Sequence, residues 1–194
     1  MFTKADFDIF KTDMTLEARM DAIKNIIDPK FEAFAQQVLP ILNEDGQTWT
    51  AHVAKHLRRT VYPPDNTWVA FAPNKRGYKM MPHFELGIWE DNVYLWLAVL
   101  ENMKPNAELV QRLVDLTPDY AALPDHFVLS ADHMVNVVQP LAQVPALIER
   151  YGQVKKSEVI VGLRIADVDA DETMPAQLLT ALRELIPLYE KLRS

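Results

Sequence analysis

Along the first 47 residues, apolar positions recur three and four apart, the period of helices with one buried face. Leu16, Met20, Ile23 and Ile27 make one stripe, and Thr15 stands where it can cap that helix. Asp28 as cap and Pro29 at the first helical position predict a restart, with Phe31, Phe34, Val38 and Leu42 as the next stripe. "NEDGQ" then supplies turn residues. Thr48 or Thr50 can cap a third helix, which must stop before Pro63, with Trp49, Val53 and Leu57 as its apolar face.

Beyond Pro64 the period changes to that of strands. "TWVAFA", "HFELGIW" and "VYLWLAVL" are short, aromatic-rich and separated by turn residues, so they predict a three-stranded antiparallel meander. In the second of these Phe84, Leu86 and Ile88 face the core, while His83 and Glu85 face away. "NAELVQRLVDL" predicts a helix, "HFVLS" a strand and "PALIERYG" a helix ending at Gly152. "SEVIVGLRIA" is a strand with Val159, Val161, Leu163 and Ile165 on one face. A last helix packs Leu178, Leu182, Leu185 and Tyr189 and is expected to kink near Pro187.

These elements define an α+β protein with about five mainly antiparallel strands packed against helices. At 194 residues the expectation is a single domain over 1–194, its N-terminal helical part at 1–47 and a mixed helix and sheet part at 48–194. With 49% hydrophobic and 24% charged residues the composition is that of an ordinary folded chain. The absence of cysteine removes disulfides, thiolate metal sites and cysteine nucleophiles. Because the N-terminus has no signal-like apolar run and no segment approaches the ~20 residues of a membrane helix, a cytoplasmic location without a membrane partner is expected.

Charge changes this picture. The chain carries −7, yet between His52 and His83 six Lys or Arg oppose the single acid Asp65, a local +5 that leaves −12 elsewhere. On the predicted third helix His52, Lys55 and Arg59 share a polar face with His56 at its border. The hairpin "NKRGYK" adds Lys75, Arg76 and Lys79, with Gly77 expected to allow an unusual backbone angle. Arg forks and Lys point charges suit phosphate or carboxylate, and histidine adds proton exchange near neutral pH. The residues expected to bind a ligand are therefore His52, Lys55, His56, Arg59, Lys75, Arg76, Lys79 and His83. An anionic small molecule, phosphorylated or nucleotide-like, is the expected partner, provided the helix and the hairpin share one face. The net acidity disfavours nucleic acid.

Two alternatives compete: an enzyme using His52 or His56 as acid-base group, and a protein-interaction module that receives an acidic partner. Arg58 and Arg59 also fit a purely structural role at a helix end. Cofactor and metal are not expected. "HVAKH" has the i, i+4 spacing of a zinc helix but lacks its glutamate, and the neighbouring cations repel an ion. "PDHF", "ADHM" beside Ser130, and "DVDADE" read as turns and a helix entry, because no serine elbow or calcium-loop glycine accompanies them. Trp68, Trp89 and Trp96 read as core or its rim.

The run from 52 to 89, with "AKH", "RRT", "PP", "TWVAF", "NKRGYK" and "PHF", resembles the YktB-like family of small uncharacterised proteins from Gram-positive bacteria. The resemblance implies an α+β cytoplasmic domain and supplies no substrate, cofactor or catalytic residue.

Overall fold

The segment predicted as the third helix is a strand, for a local reason. Trp49, Ala51 and Val53 also alternate with Thr50 and His52, so a period of two fits as well as a period near four. Threonines at 48 and 50 favour extended backbone, and a neighbouring sheet edge is there to pair with. A computed structural model describes residues 1–103 and 105–193. In it β1 (Thr50–Val53) runs antiparallel to β2 (Thr67–Ala72), with His52 opposite Ala70. Leu57, assigned to that helix's apolar face, is 85% exposed.

The sheet continues through β3 (His83–Ile88), β4 (Asn92–Val99), β5 (Phe127–Ser130), the short β6 (Gln139–Pro140) and β7 (Val159–Ala166). Its order is β1-β2-β3-β4-β7-β5-β6, and each neighbouring pair is antiparallel. The α+β class is as expected, but the strands number seven rather than about five. β1 and the two-residue β6 make the difference.

Helices cover one face of the sheet. Those named in chain order are α1 (Lys4–Lys11), α2 (Leu16–Ala22), α3 (Asp28–Leu42), α4 (Ala107–Asp115), α5 (Thr117–Ala121), α6 (Val144–Gln153) and α7 (Met174–Arg193). The stripe Phe31, Phe34 and Val38 from α3, with Leu178, Leu182 and Leu185 from α7, joins Phe84, Leu86 and Leu95 of the sheet in one core. α7 runs through Pro187, and α6 continues one residue past Gly152. Among the described residues, no helix is long and apolar enough to cross a membrane.

The expected restart at Asp28 takes a different form. Between α2 and α3 the helix widens into a π-turn at Ile23–Ile27, where the Asp28 amide donates to the Ile23 carbonyl, and the chain passes through Pro29 without a break. Asp28 is consequently no cap. Its Oδ1 is buried without a partner, and burial, aided by the charge of Glu32, pushes the carboxyl up to about 6. A raised folded pKa gives stability that is complete below the unfolded value of about 3.9 and lost as pH rises through about 6. Asp28→Asn should therefore raise stability at pH 7 by about 1 kcal/mol, after discounting for the half-exposed carboxyl, and give no gain at pH 4. Thermal melts at the two pH values read the difference.

The other face is also buried, although the pattern of β3 assigned only one face to the core. Trp68, Tyr94, Trp96, Ala98 and Ile160 form a second apolar layer. Tyr94 and Trp96 stack 5.1 Å apart, and they can lie flat because Gly87 and Gly162 sit beneath them. This face is covered by loops: Ala54, Tyr78 and Val138 pack against it from three separate segments.

Candidate anion-binding site

The two basic segments leave β2 at opposite ends, since one loop (54–66) enters its first residue and the other (73–82) follows its last. They meet because the second loop folds back over the sheet. Trp68 Nε1, near the start of β2, donates to the Tyr78 hydroxyl at 3.0 Å. His52 Nε2 donates to the Asn74 carbonyl at 2.7 Å and ties β1 to the same loop. Lys79 is thereby carried back beside Arg58 and Arg59.

A surface pocket of about 670 Å³ results, with Lys55, His56, Arg58, Arg59 and Lys79 around it and Trp68 and Tyr78 beneath. Larger openings of about 770 and 800 Å³ lie along α7 and beside α6, and the second adjoins the basic pocket at Asn102. The pocket brings together Lys55, His56, Arg59 and Lys79 of the expected ligand-binding residues, and adds Arg58. His52, Lys75, Arg76 and His83 do not line it. His52 positions the loop, Lys75 and Arg76 are exposed in the turn, and His83 is fully buried behind Tyr78.

Six of the 20 Lys and Arg, namely Lys11, Lys30, Arg112, Arg164, Lys191 and Arg193, reach a carboxylate. Among the described residues no such ion pair involves Lys55, Arg58, Arg59, Lys75, Arg76 or Lys79. Cations held around a concave surface without counter-charges raise the local concentration of anions.

His56 is set apart by its backbone. Among the described residues it alone, apart from glycine, has a positive φ, 49°, whereas Gly77 does not adopt the unusual angle expected of it. A histidine in this conformation is uncommon and strained, a condition that clusters at functional sites. The imidazole stands edge-on to Trp68 at 5.5 Å, with Nε2 3.0 Å from the Thr67 hydroxyl. Burial, with the charge of Arg59 adding to it, pushes His56 down to about 4, so the ring is neutral at pH 7.

Behind the aromatic floor lies a buried polar layer that motif reasoning missed. His83 Nδ1 donates to the Met81 carbonyl at 2.8 Å, and Nε2 donates to Glu85 Oε1 at 3.0 Å. Burial disfavours the Glu85 carboxylate, but the His83 hydrogen bond and the charges of His133, His83 and Lys79 outweigh it and hold the pKa below the ordinary value. His133 follows the same logic. Burial opposes its charge, yet the bond to Glu158 and the nearby Glu85 carboxylate raise its pKa. Glu158 accepts from His133 Nδ1 at 2.8 Å and from the His133 amide at 2.7 Å. Ligand atoms of Asp132, His133 and Glu158 lie within 4.8 Å of one another, but the two buried members already satisfy each other directly. The alternation of His83 and Glu85 on the non-core face was the one sequence signal for this layer.

The remaining turn assignments fit. Ser130 Oγ donates to the Asp132 carbonyl, as in a strand-end turn, and His126 stands 3.7 Å from Glu184 at the start of β5. "DVDADE" leads into α7, with Asp171 accepting from the Thr173 amide.

Fold and site together define an α+β protein whose antiparallel sheet has helices on one face and a loop-built basic pocket on the other. The model of the family described as a domain of unknown function, DUF1054, matches residues 2–189. A UPF0637 protein of Leuconostoc mesenteroides is 57% identical over 198 residues, with 100% of each chain covered. UPF0637 proteins of Lactiplantibacillus plantarum and Enterococcus faecalis are 41% and 40% identical, over 98% of this chain and 94% and 97% of theirs. The chain belongs to the DUF1054 (UPF0637) family, and the resemblance read from residues 52 to 89 is borne out.

Proposed function

We propose that the protein binds an anionic ligand, phosphorylated or nucleotide-like, in the pocket between loops 54–66 and 73–82. The observation that carries this reading is the convergence of Lys55, Arg58, Arg59 and Lys79, none of them ion-paired, above Trp68 and Tyr78. The cations hold phosphate oxygens, with Arg59 offering a planar fork, and the aromatic floor accepts a flat ring. Inorganic phosphate, pyrophosphate and nucleoside mono-, di- and triphosphates, titrated while tryptophan fluorescence is followed, test it. Affinity should grow with the number of phosphates. The Lys55→Gln/Arg59→Gln variant should lose it roughly tenfold or more, the worth of one or two charge-assisted hydrogen bonds. Equal behaviour of the variant and the parent across the whole panel ends the proposal.

A second reading, an acid-base enzyme, is favoured by one observation. His56 is held neutral in the same pocket on a strained backbone, as a proton acceptor would be. Turnover of a phosphate ester that His56→Gln abolishes while binding persists would select it.

A further inference from the structure

Exposed apolar side chains are concentrated on the loops around the basic pocket. Eleven large hydrophobic residues are exposed among those described, and seven of them fall on the three loops that cover the aromatic face of the sheet. Leu57 is 85% exposed, Tyr62 76%, Val61 67% and Met80 64%. Met134, Val135 and Val137 follow on the loop 131–138, and Met134 itself lines the basic pocket with Leu57. A soluble surface scatters such residues; here Leu57, Val61, Tyr62 and Met80 lie on the two loops that carry Lys55, Arg58, Arg59 and Lys79.

We propose that this loop-covered face docks on an anionic phospholipid bilayer, with Leu57, Val61, Tyr62 and Met80 entering the interface and a headgroup phosphate seated between Lys55, Arg59 and Lys79. The proposal rests on the anion-pocket reading and names the source of the anion. Charge complementarity supports it: a local +5 meets a negative surface, while the −12 carried by the rest of the chain is repelled and turns this face toward it. Side-chain chemistry chooses among polyanions. Of the four anchors only Tyr62 has a ring face for stacking on bases; Leu57, Val61 and Met80 have none, which disfavours single-stranded nucleic acid. They project from loops rather than from one face of a helix, as interfacial anchors do. A bilayer presents phosphates with acyl carbon just beneath them, the same order as cations with apolar tips beyond. Such contact needs no spanning helix, and none is present among the described residues.

The test is co-sedimentation of the full chain with vesicles of phosphatidylcholine alone or mixed with phosphatidylglycerol, alongside titration with soluble pyrophosphate. Binding is expected only to the mixed vesicles, weakening with salt. Val61→Gln/Tyr62→Gln, at exposed positions outside the pocket lining and checked by an unchanged melting temperature, should lose roughly tenfold or more in vesicle affinity while pyrophosphate affinity stays as it was. Lys55→Gln/Arg59→Gln should lose both. Pyrophosphate binding without vesicle binding overturns the docking proposal and leaves the pocket reading standing; failure of both removes both. Vesicle binding indifferent to Val61 and Tyr62, or poly-glutamate or single-stranded DNA bound as tightly as the vesicles, also overturns it.

Discussion

His83→Ala is expected to lower folding stability by about 3–5 kcal/mol at pH 7, the range for removing one partner of a buried charged pair. Both side chains of the His83–Glu85 pair are fully buried, and Glu85 Oε2 has no partner of its own. Without His83, the Glu85 carboxylate either stays charged in an apolar layer or takes up a proton at a cost that grows with pH. In the parent protein the lowered Glu85 pKa gives stability that is present above the unfolded value of about 4.3 and lost as pH falls through the folded one. The deficit of the variant should therefore be largest near neutrality and narrow in acid. Replacing both residues by leucine should recover much of the loss, because an apolar pair of similar size needs no compensation. Urea denaturation of the single and double variants at pH 5 and pH 7 reads each comparison. A double variant weaker than His83→Ala would mean that the pair contributes shape rather than charge.

Gly162→Ala is the second large effect. Gly162 lies in β7 opposite Trp96 of β4, with Val128 of β5 on its other side. A Cβ there would stand 1.9 Å from the Leu95 carbonyl oxygen and 2.6 Å from Trp96 Cε3. Neither neighbour can yield cheaply, since one is backbone in the same sheet and the other a ring stacked on Tyr94. The expected loss is about 3 kcal/mol or more, the upper end of overpacking costs. Gly77→Ala is the matched control, because nothing lies within 4 Å of its added carbon and its backbone angle is ordinary. Equal melting temperatures for the two variants would contradict this account of the aromatic face.

The contrast between these glycines also shows what was legible in the sequence. β2, β3, β4 and β7 could be read because six to eight residues rich in aromatic and β-branched side chains, most of them bounded by turn residues, are short for a packed helix. β1 could not, because four residues flanked by Trp49 and Leu57 satisfy helix and strand periods equally, and pairing with β2 decides between them. β6 is two residues long and carries no pattern at all. At the site, the charge excess identified the right segments but not their geometry. A helix wheel placed His52 beside Lys55 and Arg59; in the strand His52 turns to Asn74, and the loop beyond Val53 carries the others into the pocket. Convergence depended on loop 73–82 folding back onto Trp68, a tertiary contact between Tyr78 and the far end of β2 that no local rule encodes. The buried acids Glu85 and Glu158 were visible only as polar residues in or beside strands. Their partners are His83 and His133, and 25 residues separate His133 from Glu158, too far for a local pattern to link them.

If the two basic loops serve one anion, Arg59 and Lys79 act on it together. A double-mutant cycle on Arg59 and Lys79 tests it most directly, with pyrophosphate binding measured by calorimetry for the parent, Arg59→Gln, Lys79→Gln and the double variant. Each single change should weaken binding roughly tenfold, and together they should lose less than the sum of the two, because each removes part of the same contact. Parent-like affinity in Lys79→Gln would contradict the claim and return the folded-back loop to a purely structural role.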